Sequence, residues 1–265
     1  MAIITISGGT FSGEEVLAER VAEKLGYRCI SGEVILRAAR EYGMVAEKLS
    51  HALSDKPGFF EGMGLERVHA LAYLAAALCG EIKNESIVYR GNAGHLLLKS
   101  VPHVIRVEII SSMESRAKAA MKHHNLNRNQ AIEFIQKADG TRTKWTRFLF
   151  HVDYLDASLY DIIINLDSTS ISSACKTVCR TADLEFQSTP DSQKRMDDLI
   201  LSTKVRAMIA ADGTVADGEV DIEAEGGIIT IKGTVDSSVE ADKIRKIVYQ
   251  TPGVQGIDSQ MRLSL

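Results

Sequence analysis

The stretch that decides the fold is IITISGGTFSGEEVLAERVAEKLG, residues 3–26. Ile3 to Ile6 form a short β-branched run, and Gly8 and Gly13 then stand at the spacing of a Walker A phosphate-binding loop. Apolar residues recur on one helical face after the second glycine. This order of strand, glycine turn and helix predicts a loop whose backbone N–H groups can cradle phosphate.

Two glutamates occupy the positions where such a loop carries its cation and its metal-binding hydroxyl. Glu14 stands in place of the Walker A lysine, and Glu15 stands in place of the Ser or Thr that helps to hold Mg²⁺. A carboxylate about 4 Å from a phosphate costs roughly 4 kcal/mol at an intermediate effective dielectric. The alternative is that the glycine turn serves packing alone and that both glutamates complement the helix dipole.

Composition sets the broad class of the protein. The 265 residues give room for an α/β domain of about 180 residues and a small module. The net charge of −4 gives no electrostatic reason to expect nucleic acid as a partner. Because no apolar run is long enough to span a membrane and the N-terminus lacks a signal-like pattern, we expect a cytoplasmic protein. The four cysteines lack metal-binding spacing and are expected to be reduced thiols.

Strands alternate with helices through the first two thirds of the chain. Val104–Ile110 (VIRVEII) is typical of a buried strand, and Ser111 and Ser112 are placed to cap a helix that runs to about His124. A second helix is expected at 128–138 and another strand at 161–165, with a further apolar strand at 96–98. This alternation predicts an α/β fold, with a parallel sheet covered by helices on both faces.

The pattern changes after residue 186. Residues 187–198 (QSTPDSQKRMDD) show no apolar periodicity and are interpreted as a linker. Residues 199–265 then predict a small α+β domain of order αββαβ, with a hairpin turn at Gly226-Gly227 and a capping box from Ser237 to Glu240. We therefore expect domains at 1–186 and 199–265, and we expect a chain ending near Thr189 to fold by itself.

Five blocks of sequence together resemble the cytidylate kinase-like family. They are ISGGTFSGEEVLAERVAEKLG, YRGNAGHLLL, VIRVEIISSMESRAKAAM, ADGTRTKW and YDIIINLDSTSIS, and they cover roughly residues 1–183. The segments VRAMIAAD, GGIITIKGTV and TPGVQGID resemble a BON domain. The first resemblance implies a P-loop kinase-like fold, nucleotides as ligands and Mg²⁺ with ATP as cofactor. The second implies docking to a phospholipid surface or a protein partner, and it is compatible with a homo-oligomer.

The resemblance to the kinase-like family also implies roles for particular residues. Arg116 and Arg142 match arginines that neutralise the transferring phosphoryl group, and Arg90 and Asp139 match acceptor-binding residues. Phosphate binding falls to Gly8, Gly9, Thr10, Ser12 and Gly13. No protein metal ligand is implied. The chain departs from the family pattern at Glu14, at Tyr89 and Gly91 on either side of Arg90, and at Ser31, where an acidic residue is usual.

Two functions remain open at this point. One is a cytidylate kinase-like phosphotransferase that moves phosphoryl from ATP to a nucleoside monophosphate. The other is a catalytically inactive nucleotide sensor or scaffold whose BON domain docks to a partner or a phospholipid surface. The two functions differ in whether Arg116 and Arg142 supply the positive charge that is missing because Glu14 stands in place of the Walker A lysine. His95 is expected to be structural, because phosphoryl transfer needs little proton movement by the protein.

Overall fold

The computed structural model describes residues 2–34, 64–83, 86–91, 93–212 and 220–264. Within these ranges the chain divides into two compact units. The first unit contains the described residues up to Gly32 and those from 86 to 189. The second contains residues 33–34 and 64–83 together with the described residues from 190 onward.

A five-stranded parallel sheet forms the centre of the first unit. Its strands are β1 (Ile3–Gly8), β2 (Arg28–Ser31), β3 (Ile87–Arg90), β4 (Val104–Ile110) and β5 (Ile162–Asn165). Their order in the sheet is β2-β3-β1-β4-β5, and every neighbouring pair is parallel. All six residues of β1 are buried, as expected for the central strand of a sheet flanked by helices. The predicted parallel α/β sheet is confirmed.

Eight α-helices lie wholly within the described part of the chain. They are α1 (Glu14–Leu25), α2 (Gly64–Ile82), α3 (Gly94–Leu97), α4 (Met113–His124), α5 (Arg128–Phe150), α6 (Ile171–Glu185), α7 (Pro190–Asp212) and α8 (Ser238–Gln250). In the first unit, α1 packs against α6, and α4 packs against α5. Leu17 and Val21 of α1 and Val178 of α6 join Ile4 and Ile109 of the sheet in one core. None of the described helices is long and apolar enough to cross a membrane.

Two predictions of secondary structure in the first unit are wrong. Residues 96–98 do not form a strand, because the N–H groups of Leu97 and Leu98 donate to carbonyls four residues earlier, Ala93 O and Gly94 O. The helix expected to end near Ala138 continues through Gly140 to Phe150. Threonine hydroxyls in this extension donate to backbone carbonyls one turn back, as Thr143 does to Asp139 O at 2.9 Å. The extension carries Arg142, so it decides where that side chain lies.

The second unit contains a three-stranded mixed sheet. Its strands are β6 (Val220–Glu225), β7 (Ile228–Val235) and β8 (Gly256–Leu263), with β6 antiparallel and β8 parallel to the central β7. Ile229 and Ile231 of β7 pack with Val205 of α7 and Ile244 of α8. The order α7-β6-β7-α8-β8 confirms the predicted αββαβ arrangement. At the start of α8, the Ser237 side chain accepts a hydrogen bond from the Glu240 N–H, as expected for a helix cap.

The expected linker at 187–198 is wrong from Pro190 onward, because those residues lie in α7. Pro190 stands at the first helical position, where its missing N–H costs nothing. Ser192 and Met196 are buried one turn apart, so the segment has a buried face that its polar composition conceals.

Helix α2 is the second correction to the expected domain boundaries. It is placed with the second unit, where it packs against α7. Its Cys79 thiol is buried and interacts with the Thr203 hydroxyl, and burial raises the pKa of that thiol to about 12. The sequence of α2 is apolar on most of its surface, as is typical of a helix buried in a core. The second unit is therefore not one continuous stretch of sequence.

Candidate functional site

The predicted phosphate loop runs from the end of β1 to the start of α1. Gly13 has φ of 99° and Phe11 has φ of 63°, so both residues adopt left-handed backbone conformations. The Ser12 N–H donates to Gly9 O at 2.8 Å and closes a tight turn. A Cβ atom on Gly8 would lie 2.9 Å from Ile109 O, so this position needs glycine for close packing against β4.

A carboxylate of the protein itself is bound to this loop. The N–H and the hydroxyl of Thr10 both donate to Oδ1 of Asp139, at 3.1 and 2.9 Å. The Arg116 guanidinium contacts Oδ2 of the same carboxylate, and its Nε–H donates to Thr10 O at 2.8 Å. The side chains of Arg116 and Asp139 are only 12% and 18% exposed. The loop and Arg116 therefore hold an anionic oxygen pair with backbone, hydroxyl and guanidinium donors.

The two predicted phosphoryl-neutralising arginines approach the loop from different helices. A Cβ atom on Gly9 would lie 2.9 Å from Arg116 Cζ, so the glycine allows the guanidinium of α4 to lie directly against the loop. Arg142 of α5 donates to Gly8 O and lies 5.7 Å from the centre of the Tyr154 ring. Its Nε is buried without a hydrogen-bond partner among the described residues. Both arginines are thus placed at the loop.

The two glutamates of the loop have different surroundings. The Glu14 carboxylate accepts from the Ser12 hydroxyl at 3.0 Å, so it lies beside the loop. Glu15 pairs with Arg90 of β3 at 3.0 Å. Arg90, the expected acceptor-binding arginine, is therefore engaged by α1 and is not among the groups that contact Asp139.

A buried polar cluster lies behind the loop, against the end of β1. Glu108 of β4 accepts from the Ser7 hydroxyl at 2.5 Å. Burial raises the pKa of Glu108 to about 7, although the bond from Ser7 and the charge of Arg142 act in the opposite direction. Sequence analysis did not identify Glu108. The one signal for it was a carboxylate within VIRVEII, which was predicted to be a buried strand.

His95 lies in the same region and lines a small cavity with Glu108, Arg142 and Tyr160. Its ring centroid is 4.8 Å from that of Tyr160. Neither ring nitrogen has a hydrogen-bond partner in the part of the chain that the structure describes. Because burial lowers the pKa of His95 to about 4, its imidazole is neutral at physiological pH.

An open cleft of about 540 Å³ adjoins the other side of the loop. Its lining consists of Phe11, Ser12, Gly13, Ser111, Ser112, Ser115, Leu166 and Asp167. Asp167 accepts from the Ser112 N–H at 2.7 Å, which joins the segments that follow β4 and β5. The volume falls within the usual range of small-molecule sites. Sequence analysis did not identify this cleft, although carboxyl ends of adjacent parallel strands are common ligand sites.

The fold and the loop define a class of protein: a parallel α/β protein with a phosphate-binding type of loop after its central strand. The model of the cytidylate kinase-like family matches residues 3–168, and the chain belongs to that family. Residues 197–264 match the model of the BON domain.

Relatives and solved structures agree with this assignment. The chain is 25% identical over 164 residues to the cytidylate kinase of Methanopyrus kandleri, a match that covers 62% of this chain and 83% of that protein. It is 27% identical over 166 residues to the cytidylate kinase of Methanothrix thermoacetophila, covering 62% and 87%. A crystal structure of an uncharacterized protein from Eubacterium ventriosum superposes with a TM-score of 0.55 at 18% identity, covering 69% of this chain and 98% of that one. This last likeness concerns the fold alone.

Proposed function

We propose that the first unit binds ATP at the loop and transfers its γ-phosphoryl group to a nucleoside monophosphate. The observation that carries this proposal is the binding of the Asp139 carboxylate by Thr10 and Arg116. Phosphate oxygens need the same donors as carboxylate oxygens, because both groups are anionic acceptors. A nucleotide phosphate would therefore take the position of Asp139 on the loop.

Arg116 and Arg142 supply to the phosphates the positive charge that a Walker A lysine would otherwise provide. When phosphate enters, Arg116 exchanges its carboxylate partner for phosphate oxygens, and Arg142 is close enough to Gly8 to act on the same group. Phosphoryl transfer depends mainly on such positioning and charge neutralisation. The neighbouring cleft of about 540 Å³ has hydroxyl and aromatic lining suited to the nucleoside part of the donor.

Mg²⁺ with ATP fits the oxygen donors at the loop. The Glu14 carboxylate and the Ser12 hydroxyl lie 3.0 Å apart, and Mg²⁺ typically takes one or two protein oxygens in addition to phosphate oxygens. The ion would neutralise charge between Glu14 and the phosphates. Because it is bound with its nucleotide, the proposal includes no resident metal ion.

A second candidate is a nucleotide sensor without transferase activity. It is favoured by the pairing of Arg90 with Glu15 at 3.0 Å, which engages the arginine expected to receive the acceptor phosphate. In this case the BON domain would carry the output by docking to a protein partner or a phospholipid surface. A cytoplasmic location, where nucleotides are abundant, belongs to both candidates.

Calorimetry with ATP, CMP and dCMP, with and without Mg²⁺, tests both candidates when it is combined with an assay of phosphoryl transfer. We expect binding of ATP with Mg²⁺ and transfer to a monophosphate. Arg116→Gln should weaken ATP binding about tenfold or more, whereas Arg128→Gln, which affects an exposed ion pair of α5, should not. ATP binding without transfer to any nucleoside monophosphate would select the sensor. Absence of binding of all three nucleotides would reject both candidates.

A further inference from the structure

Strand β8 forms one edge of the sheet in the second unit. It is hydrogen-bonded to β7 on one side, and no described strand lies on its other side. Its exposed side chains are those of Asp258, Ser259, Gln260, Arg262 and Leu263, and that of Leu263 is 56% exposed. An eight-residue edge without proline presents a row of unpaired backbone groups, which is a template for pairing with another strand.

The register of β8 shows which backbone groups face the open side. The Ser264 N–H donates to Val235 O at 2.9 Å, directly after an uninterrupted parallel register from Ile228↔Gly256 to Val235↔Leu263. Backbone groups of successive strand residues point to opposite edges, so even-numbered residues of β8 face β7. The N–H and C=O groups of the odd-numbered residues, Ile257, Ser259, Met261 and Leu263, therefore point outward.

We infer that β8 pairs antiparallel with β8 of a second copy of this chain, about a two-fold axis at Gln260. This register places Asp258 opposite Arg262 of the second copy, and it does so twice because the interface is isologous. It also places Ile257 opposite Leu263 on the helix-bearing face, since these residues share the face of the buried Ile229 and Val235. The outward backbone N–H and C=O groups of residue 257 then form hydrogen bonds with those of residue 263 of the second copy. Residues 259 and 261 pair across the axis in the same way.

Other two-fold registers of the same strand lack this complementarity. In an antiparallel pair, two opposed residues either both direct their backbone N–H and C=O groups toward the partner strand or both direct them away from it. Opposed residues of the two β8 copies therefore have numbers that are both odd or both even, so the two-fold axis passes through a residue. An axis at Asp258 or at Arg262 would set like charges directly opposite, which is destabilising. An axis at Ser259 would place Asp258 opposite Gln260, and an axis at Met261 would place Asp258 opposite Ser264. Only the axis at Gln260 pairs both charges, and this self-complementarity identifies a second copy as the occupant.

The oligomeric state of the full chain in solution tests this inference. Analytical ultracentrifugation over a wide range of concentrations should show a reversible monomer–dimer equilibrium. Asp258→Arg or Arg262→Asp, made singly, should raise the dimer Kd by about tenfold or more, because each creates two like-charge pairs. The double variant Asp258→Arg with Arg262→Asp should restore the Kd to within about threefold. Glu23→Arg makes the same charge change on α1 of the first unit, outside the strand proposed to pair, and should leave the Kd unchanged.

A backbone variant provides an independent test of the same register. Ser259→Pro removes one outward N–H from each copy without removing a bond to β7, so it should weaken the dimer while the thermal unfolding of the chain stays cooperative. A wild-type chain that remains monomeric at every concentration overturns the inference. So does a dimer whose Kd is unaffected by the single charge reversals, or one that the double variant fails to restore.

Discussion

The Asp139 carboxylate accepts two hydrogen bonds from Thr10, one from its backbone N–H at 3.1 Å and one from its hydroxyl at 2.9 Å. These two residues are 129 positions apart, so the contact ties the middle of α5 to the loop after β1. Because the loop offers these donors to an anion, a phosphate bound there as proposed would compete with Asp139 for the same place. The strength of this internal contact would then partly set the affinity of the loop for phosphate.

Asp139→Asn should strengthen binding of inorganic tripolyphosphate by roughly three- to tenfold. The amide of asparagine is uncharged and a weaker acceptor than a carboxylate, so it competes less well for Thr10 and releases Arg116. Titration calorimetry measures the change. Asp183→Asn, at an exposed position of α6, is the matched control and should have no effect. Weaker binding in Asp139→Asn would show that Asp139 supports the ligand instead of competing with it.

Glu14→Lys should strengthen ATP binding by at least about tenfold when Mg²⁺ is absent. The substitution removes a repulsion and adds an attraction, each worth on the order of 1–4 kcal/mol. With Mg²⁺ present the gain should be smaller, because the metal ion already offsets the Glu14 charge. Glu19→Lys makes the same charge change farther along α1 and serves as the control. Unchanged affinity in Glu14→Lys would mean that the donor phosphates do not bind at this loop.

Glu108 should make the stability of the chain fall as pH rises. Burial raises its folded-state pKa to about 7, above the ordinary value of 4.5, so the folded protein favours the protonated carboxyl. Its contribution is fully present below about pH 4.5 and is lost as pH rises through about 7. Glu108→Gln has no carboxyl group to ionise, so it keeps its stability as pH rises. Between about pH 5 and 8 its free energy of unfolding should therefore rise by roughly 2–4 kcal/mol relative to that of the wild type.

Denaturant unfolding across this pH range measures the effect. Glu114→Gln provides a control of opposite sign, because the hydrogen bond from Arg128 lowers the pKa of Glu114. The contribution of Glu114 is present above its ordinary pKa and is lost as pH falls. Parallel stability curves for the wild type and Glu108→Gln would show that Glu108 ionises in the folded protein as it does in the unfolded chain.

His95→Leu should raise the thermal stability of the protein. The imidazole is buried and has no hydrogen-bond partner among the described residues, and such an unsatisfied group costs about 1–3 kcal/mol. Leucine has a similar volume and no polar atoms. His95→Asn, which keeps the polar group and leaves a gap, should lower stability. Calorimetric unfolding distinguishes the two variants, and a loss of stability in His95→Leu would indicate that His95 has a partner such as an ordered water.

A chain ending at Thr189 should lose solubility or cooperative unfolding. This outcome is the reverse of what the sequence indicated, because the truncation removes α7 and uncovers the face of α2 that packs on it. Coexpression of residues 190–265 should restore solubility by supplying α7 again. A soluble, cooperatively folded protein ending at Thr189 would show that α2 does not need α7.

Local signals identified the elements whose chemistry is complete within a few residues. The strand Val104–Ile110 has the predicted bounds because its apolar run is continuous and ends at serines. Ser112 caps α4 and Ser237 caps α8 as expected, since capping depends only on the next three residues. By contrast, β2 (RCIS) is short and half exposed, and its pairing with β3 fixes it as a strand.

The remaining differences depend on contacts between distant parts of the chain. Nothing near Asp139 shows that its carboxylate meets Thr10, because that contact depends on how α5 crosses the loop. The polar start of α7 resembled a linker because Ser192 and Met196 are the two buried residues in its first two turns. The loop glycines were predicted from their spacing and both arginines from the resemblance to the kinase-like family, but their surroundings required the three-dimensional arrangement.

The packing of α2 against α7 also constrains when the second unit can form during synthesis. Roughly a hundred residues separate the end of α2 from the start of α7, and most of them belong to the first unit. During translation α2 emerges from the ribosome well before its partner, so its apolar surface remains without α7 while β3, β4 and β5 of the first unit are synthesised. The second unit therefore forms late, because its closing contact joins two helices separated by roughly a hundred residues of chain.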